Sequence, residues 1–273
     1  MKLAPATNLI ILDDGDTIGG VWSKEKIYPN LFAQIGHGLF EYSFYPMKKE
    51  NISKDRYIPG ETIHNYLNEF AVDHGLSMRT RLRSSVTAAE KSGTGWRLTL
   101  SEAPSILCDK LIYATGATSK PYVPKWPQEG FSKPIIHSSE VGQNLEALQN
   151  IDHATVVGGA KSSYDTVFML LKADKKVDWI IRDEGSGPLA IMPPRMFKIF
   201  NTVDIMATRA MSKFSPSIMQ TKGIWYNFLQ KTKVGRVCTK LFWRNVTRIA
   251  EYHAGYAKSA NAGKLRPVPF GYG

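Results

Sequence analysis

The sequence of 273 residues predicts an α/β fold with parallel strands, on three observations. A short apolar run at residues 8–12 ends in turn residues, which is typical of a buried strand. Residues 61–74 place apolar side chains at helical spacing, which predicts an amphipathic helix. Residues 154–157, 162–171 and 177–181 read as strand, helix and strand, with a glycine-rich turn after the first strand. We therefore expect a βαβ unit in the second half of the chain.

The remaining elements are predicted from shorter patterns. Residues 84–91 and 96–100 indicate two strands of a β-hairpin joined by Ser92-Gly93-Thr94-Gly95. Residues 110–114 indicate another short strand, and residues 28–57, rich in aromatic residues, Gly and Pro, indicate an irregular packed loop. Beyond residue 193 the pattern becomes mostly helical.

Four prolines between residues 121 and 134 cannot continue a helix or a central strand, so we expect a linker there. The predicted domains are residues 1–125 and residues 126–273, and the βαβ core lies at about 151–185. The second domain then carries a basic helical extension.

The net charge of +11 is unevenly distributed along the chain. Residues 191–273 contain 14 Lys and Arg against Asp204 and Glu251, a net +12, whereas residues 1–190 carry a net −1. A basic segment of this kind suits an anionic membrane surface or nucleic acid. The interpretation that we favour is a solvated helical face with subsites for an anionic cofactor.

Cysteine usage and hydropathy exclude several classes of protein. Cys108 and Cys238 are far apart and match no metal-ligand spacing, so we expect neither a zinc site nor a disulfide framework. No stretch of 18 apolar residues and no signal-peptide pattern occurs, which predicts a cytoplasmic protein without a transmembrane helix.

The strongest chemical signal is the turn between the first strand and the helix of the βαβ unit. Small residues there let the backbone approach a pyrophosphate, and the helix N-terminus offers unpaired N–H groups. The three positions of the G-x-G-x-x-G template are Gly158, Ala160 and Ser163. Arg182 follows the next strand, where a cation suits the 2′-phosphate of NADP. The alternative is a tight structural turn without a nucleotide.

A second signal follows the first strand. Asp13 stands where a carboxylate accepts hydrogen bonds from ribose hydroxyls in dinucleotide folds, and Gly19, Gly20 and Trp22 come soon after. Paired glycines would let backbone amides approach a cofactor, although an Asp followed by two glycines is also a common turn.

Four segments together resemble flavin-dependent monooxygenases of the FMO and Baeyer–Villiger type, and the resemblance is to members from fungal secondary metabolism. The segment LDDGDTIGGVW resembles the stretch that meets FAD, and Tyr113-Ala114-Thr115-Gly116 resembles the A-T-G linker motif. The segment VVGGAKSSYD resembles the second nucleotide loop, V-V-G-G-G-K-S-A-x-D. Residues 131–138 resemble the fingerprint F-x-G-x-x-x-H-S.

This resemblance implies a two-dinucleotide-binding-domain, Rossmann-like flavoprotein fold with FAD and NADP as cofactors. It implies a small organic substrate and O2 as partners, with no nucleic acid. The residues that it assigns to FAD are Asp13, Gly19, Gly20 and Trp22, and it places Thr115 and Gly116 between the domains. Those that it assigns to NADP are Gly158, Gly159, Lys161, Ser162 and Arg182.

The sequence also departs from the family pattern. Such enzymes begin with a strand and a G-x-G-x-x-G loop for the FAD pyrophosphate, whereas only about eight residues precede the first strand here. We therefore expect an incomplete FAD domain and a chain truncated at both ends. Phe32 and Gln34 replace the arginine and aspartate of the Baeyer–Villiger segment, which leaves the type of oxygenation open. The alternative function is a catalytically impaired remnant that acts as a nucleotide-binding module or contacts a membrane peripherally through its basic C-terminal segment.

Overall fold

The computed structural model describes residues 8–116, 121–125, 129–182, 192–196, 198–217 and 220–255. Two compact units make up the chain. The first comprises Met1–Ala33, Phe40–Ile52 and Ile58–Asn150, and the second comprises Gln34–Leu39, Ser53–Tyr57 and Ile151–Gly273. The units therefore do not follow one cut in the chain, and the domain boundary predicted at residue 125 stays a prediction.

The first unit contains short strands, one long helix and one short helix. Strands β1 and β4 pair in parallel, β2 pairs with β3, and β5, β6 and β7 form an antiparallel sheet in that order. The chain passes from one unit to the other within β2 and within β3. The elements are β1 Ile11–Leu12, β2 Phe32–Gly36, β3 Tyr57–Pro59, α1 Gly60–Asp73, β4 Thr80–Arg81, β5 Val86–Ser92, β6 Gly95–Leu100, β7 Ile106–Cys108 and α2 Leu145–Gln149.

Helix α1 confirms the helix predicted from apolar spacing. Its buried side chains include Ile63 and Tyr66, three residues apart, and Ala71 lies further along the same face. Ile63 is fully buried, as is Ile58 just before the helix. The helix ends before Gly75, which has a φ of +65° that favours glycine. The first unit thus builds its core on one face of α1.

The hairpin of β5 and β6 is confirmed, whereas the strand predicted at residues 110–114 is wrong. Ser92 pairs with Gly95 across Gly93-Thr94, as the turn residues predicted. In the described part of the chain no strand pairs with residues 110–114, and Ile112 and Tyr113 are 83% and 82% exposed. An apolar run forms a strand only where a second backbone accepts its hydrogen bonds, so the third strand of this sheet is β7 instead.

Residues 28–57 are less irregular than predicted, because they contain β2 and the first residue of β3. Their composition favours loops, yet the two segments pair with each other through the backbone. Backbone pairing depends on which segments meet in the fold and not on residue type alone, so composition misses it.

The second unit contains the predicted βαβ unit and a helical remainder. Strands β8 and β9 pair in parallel from His153 with Lys176 to Val157 with Ile180, and α3 connects them. The elements are β8 His153–Val157, α3 Lys161–Lys172, β9 Lys176–Ile180, β10 Arg195–Met196, β11 Phe200–Asn201, α4 Thr202–Met206, α5 Arg209–Phe214, α6 Ile224–Tyr226 and α7 Lys233–Ala254, and a π-helical turn, Asn227–Lys231, precedes α7. The βαβ prediction is confirmed, and the mostly helical remainder is confirmed over the described residues.

Helix α7 spans 22 residues and buries Trp243, Val246 and Ala250 on one face. Its basic side chains lie on the opposite face, where Arg244 and Arg248 are exposed. Among the described helices, none is long and apolar enough to cross a membrane. The C-terminal stretch beyond residue 255 lies outside the described residues.

Candidate nucleotide-binding site

Gly158 anchors the turn between β8 and α3. Its φ of +132° belongs to a region that L side chains rarely adopt. Its N–H donates to the Ile180 carbonyl oxygen at 2.9 Å, and its carbonyl oxygen accepts from Trp179 Nε1 at 2.6 Å. A Cβ atom at this position would lie 3.8 Å from the Cβ atom of Ser163, an ordinary contact. Backbone conformation, more than lack of space, therefore requires glycine here.

The N-terminus of α3 faces this turn without a capping side chain. Ala160 is the extended residue before the helix, and no side chain accepts from the first helical N–H groups. Ser163 is buried and donates its hydroxyl to the Ala160 carbonyl oxygen at 2.6 Å. Ser162 is exposed and Gly159 half-buried. A helix of 12 residues concentrates unpaired N–H groups and partial positive charge at its start, which suits a phosphate.

Lys161 forms an ion pair with Asp165, which lies one helical turn further along α3. Both side chains are largely buried for charged groups, at 31% and 18% exposure. Asp165 was not among the sequence candidates, although opposite charges four residues apart on a helix are a readable signal. The ammonium group of Lys161 therefore has a fixed position beside the turn, and its charge is already partly offset.

Arg182 lies just past β9, two residues after the Ile180 carbonyl that holds Gly158. Its side chain is exposed, and no hydrogen bond or ion pair with another described residue engages it. A guanidinium group that no other described residue engages, at the carboxyl end of β9, suits a phosphate on the ribose of a dinucleotide. The residues at this turn thus fit NADP.

Asp13 stands at the end of β1 in the first unit. Its N–H donates to the Arg81 carbonyl oxygen at 3.1 Å, and its own carbonyl oxygen accepts from the Ser84 N–H at 2.8 Å. Its Oδ1 accepts from the Gly15 N–H at 2.8 Å, which closes a tight turn. Among the described residues nothing bonds to Oδ2, so one carboxylate oxygen remains for a ribose hydroxyl. The structure thus places Asp13 in a tight turn, and its ribose contact stays a prediction.

The next segment holds Gly19 and Gly20 at φ values of +131° and +60°. A Cβ atom on Gly19 would lie 3.0 Å from the Trp22 carbonyl oxygen, whereas one on Gly20 would meet nothing within 4 Å. The Trp22 ring packs edge-on against Phe40, with centroids 6.1 Å apart, and its carbonyl oxygen accepts from His64 Nδ1 at 3.0 Å. Trp22 is thus half-buried within its unit, and the exposed Gly20 backbone is the more accessible partner for a cofactor.

Glu25 is a residue of this segment that the sequence did not single out. It accepts hydrogen bonds from the Asp16 N–H at 3.1 Å and the Thr17 hydroxyl at 2.6 Å. Burial opposes the charged form, but the hydrogen bonds, chiefly from Thr17, outweigh it and lower the pKa of Glu25. The ionised carboxylate therefore ties together the loop between Asp13 and Gly19.

The structure groups the sequence candidates into two clusters and leaves two apart. Asp13, Gly19, Gly20 and Trp22 lie along one segment of the first unit. The NADP candidates of the second unit are Gly158, Gly159, Lys161, Ser162 and Arg182. Thr115 and Gly116 are exposed, and among the described residues no hydrogen bond or ion pair links them to either cluster. Over the same residues, no group of three metal-binding side chains occurs.

Comparisons with known proteins agree with the flavoprotein resemblance. The sequence profile of the pyridine nucleotide-disulphide oxidoreductase family matches residues 6–203. The FAD-dependent monooxygenase DEP4 of Fusarium langsethiae is 50% identical over 276 residues, which cover 100% of this chain and 48% of that protein. The FAD-dependent monooxygenase rstn6 of Aspergillus nomiae is 34% identical over 98% of this chain and 50% of its own length. The chain thus spans about half the length of these curated relatives.

Solved structures show the same fold at low sequence identity. An oxidized steroid monooxygenase bound to NADP superposes with a TM-score of 0.56 at 18% identity, over 75% of this chain and 39% of that one. OTEMO in complex with FAD and NADP gives a TM-score of 0.54 at 19% identity, over 63% of this chain and 34% of that one. The predicted Rossmann-like fold class of two-domain flavoproteins is thereby confirmed.

Proposed function

Because this chain belongs to the pyridine nucleotide-disulphide oxidoreductase family and is similar to FAD-dependent monooxygenases over nearly all of its length, we propose that it serves an FAD- and NADPH-dependent oxygenation of a small organic molecule by O2. Secondary metabolism is the proposed setting and the cytoplasm the proposed location. The alternative of a membrane-surface module gains no support from the relatives.

The observation that carries the proposal is the turn between β8 and α3 with Arg182 beside it. Gly158 shapes the turn, the uncapped start of α3 offers N–H donors, and Arg182 offers a guanidinium group near the end of β9. These three features meet the needs of a pyrophosphate and of a 2′-phosphate. In the same proposal, Lys161 and the exposed Ser162 border the pyrophosphate, and Gly159 lets it approach.

The flavin half of the proposal rests on the first unit. Asp13 would accept from a ribose hydroxyl through Oδ2, and the backbone at Gly19 and Gly20 would approach the cofactor. Trp22 would line the route toward the flavin ring, and Thr115 and Gly116 would join the two halves, as the family motif implies. Reducing equivalents and oxygen activation are the chemistry that NADPH and FAD supply when bound. The residues of this chain would bind these cofactors, orient them and shield them from water.

Selectivity for NADPH over NADH tests the proposal. NADPH should raise the thermal midpoint of the chain more than NADH does at equal concentration, since only NADPH carries the 2′-phosphate. Arg182→Ala should weaken NADPH binding by about tenfold or more, the size of one lost charge-assisted hydrogen bond, and leave NADH unchanged.

Lys176→Ala is the matched control, because Lys176 is an exposed cation at the opposite end of the same strand. It should bind NADPH as the unaltered chain does. If both variants lose the same NADPH affinity, the effect reflects the overall positive charge and not a contact of Arg182. If NADPH does not stabilise the unaltered chain, the assignment of this turn is refuted.

A further inference from the structure

A cavity of about 410 Å³ lies within the second unit, and no residue of the βαβ turn is among those that line it. Two chain segments far apart in sequence form it, one with Lys54 and Arg56 and the other with Arg195 and lining residues between Ile199 and Ile205. Its volume falls in the range of pockets that take small organic molecules. Its lining includes Lys54, Arg56, Arg195, Ile199, Phe200 and Asp204.

Two Arg–Asp pairs join the segments. Arg56 Nη1 donates to both carboxylate oxygens of Asp204, at 2.8 and 2.7 Å, and Arg56 Nη2 donates to the His37 carbonyl oxygen at 2.5 Å. Arg195 Nε donates to Asp55 Oδ1 at 3.0 Å. Arg56 has thus committed both terminal nitrogens, whereas Arg195 has committed only Nε among the described residues.

The charges left over at the cavity are positive. The negative charge of Asp204 balances the positive charge of Arg56, and that of Asp55 balances Arg195. Lys54 is exposed and forms no ion pair with any described residue. Counted over the described residues, the cavity therefore carries one unbalanced positive charge, and no described acceptor engages the Arg195 terminal nitrogens. A single anionic group is the match for this arrangement.

Apolar side chains stand beside these donors. Ile199 is 73% exposed and Phe200 57% exposed, although both line the cavity. An exposed aliphatic and an aromatic side chain, next to Lys54 and the terminal nitrogens of Arg195, resemble the mixed lining of small-molecule sites, where apolar walls provide burial and a few polar groups orient the ligand.

We propose that this cavity binds a small monocarboxylic acid with an apolar body. The carboxylate would accept from Lys54 Nζ and from the terminal nitrogens of Arg195, and the apolar body would cover Ile199 and Phe200. A doubly charged phosphate fits less well, because only one charge is unbalanced. None of these residues belongs to the proposed nucleotide site, so the inference stands apart from the proposed function.

Calorimetric titration of the whole chain with phenylbutyrate and with its neutral counterpart phenylbutanol tests the proposal. Phenylbutyrate should bind at least tenfold more tightly than phenylbutanol, since only the acid can form charge-assisted hydrogen bonds. Lys54→Ala should weaken phenylbutyrate about tenfold and leave phenylbutanol unchanged. Phe200→Ala should weaken both ligands by the same factor.

Lys222→Ala is the control, because Lys222 is an exposed cation outside the cavity. Equal affinity for acid and alcohol in the unaltered chain would overturn the proposal without any variant. Equal affinity of Lys54→Ala and Lys222→Ala for phenylbutyrate would also overturn the proposal. Lys54 makes no bond to another described residue, so its removal should leave the thermal midpoint unchanged, and a fall in the midpoint would also count against the proposed role.

Discussion

Tyr45 shows how a single hydrogen bond sets the chemistry of one residue. Its hydroxyl donates to Asp73 Oδ2 at 2.6 Å, near the end of α1. The phenol ring also lies edge-on to Phe70, with centroids 5.3 Å apart. Ionisation would remove the hydrogen bond and place a phenolate beside a carboxylate. The Asp73 contact accordingly raises the pKa of Tyr45 to about 12.

The phenol titration of Tyr45 should respond to Asp73. Asp73→Asn removes the negative charge, so the pKa should fall from about 12 toward about 10, the ordinary value for tyrosine. Absorbance of the phenolate against pH measures this, and Tyr45→Phe identifies the contribution among the 12 tyrosines. An unchanged titration curve in Asp73→Asn would contradict the assignment.

The same shift has a defined sign for stability. The pKa of Tyr45 is higher in the folded chain than in the unfolded one, so the contact stabilises the fold fully below about pH 10. The contribution is lost as the pH rises through about 12. The Asp73→Asn chain should therefore lose less stability than the unaltered chain over that interval.

At the scale of elements, Gly235 decides how α7 meets the π-helical turn before it. Thr232 caps the helix, since its hydroxyl accepts from the Gly235 N–H at 2.9 Å. A Cβ atom on Gly235 would lie 1.9 Å from the Phe228 carbonyl oxygen, far inside any allowed contact. The preceding turn can pack this closely only because position 235 has no side chain.

Gly235→Ala should therefore destabilise the second unit, although alanine normally favours a helix over glycine by about 1 kcal/mol. We expect a loss of about 2 kcal/mol or more in the free energy of unfolding, because backbone atoms must move apart. Urea denaturation followed by circular dichroism measures it. Asn245→Ala, an exposed change on the same helix, should cost nothing. If Gly235→Ala stabilises the chain, the π-helical turn can move away from position 235 without cost, and the prediction is wrong.

Sequence patterns predicted elements well where the signal was local. Helix α1, the β5–β6 hairpin and the βαβ unit follow from periodicity and turn residues, and each is confirmed. The strand predicted at residues 110–114 failed, because an apolar run does not identify its pairing partner. The two short strands β2 and β3 were missed for the same reason.

At the scale of the molecule, two units carry the two candidate clusters. The basic residues 191–273, with a net charge of +12, belong to the second unit, whereas both clusters lie in residues 1–190, which carry a net −1. Because each cluster lies in one unit, we expect each cofactor to stabilise mainly the unit that contains its cluster.

Hydrogen exchange with each cofactor added separately tests this division. NADPH should slow exchange in residues 153–182, and FAD should slow exchange in residues 11–25, since ligand contact suppresses local opening. Helix α7 serves as an internal control that neither cofactor should protect directly. Protection of residues 11–25 by NADPH alone would contradict the assignment of the two clusters.

The sequence by itself determined the α/β class, the βαβ turn with Gly158 and Arg182, and the family to which the chain belongs. These features depend on residues close together in the chain, where spacing and turn chemistry are readable. The tertiary structure alone decided the ion pairs of Arg56 with Asp204 and of Arg195 with Asp55, and the cavity that they border. Those partners are 148 and 140 residues apart in the sequence, and only folding brings them within hydrogen-bonding distance.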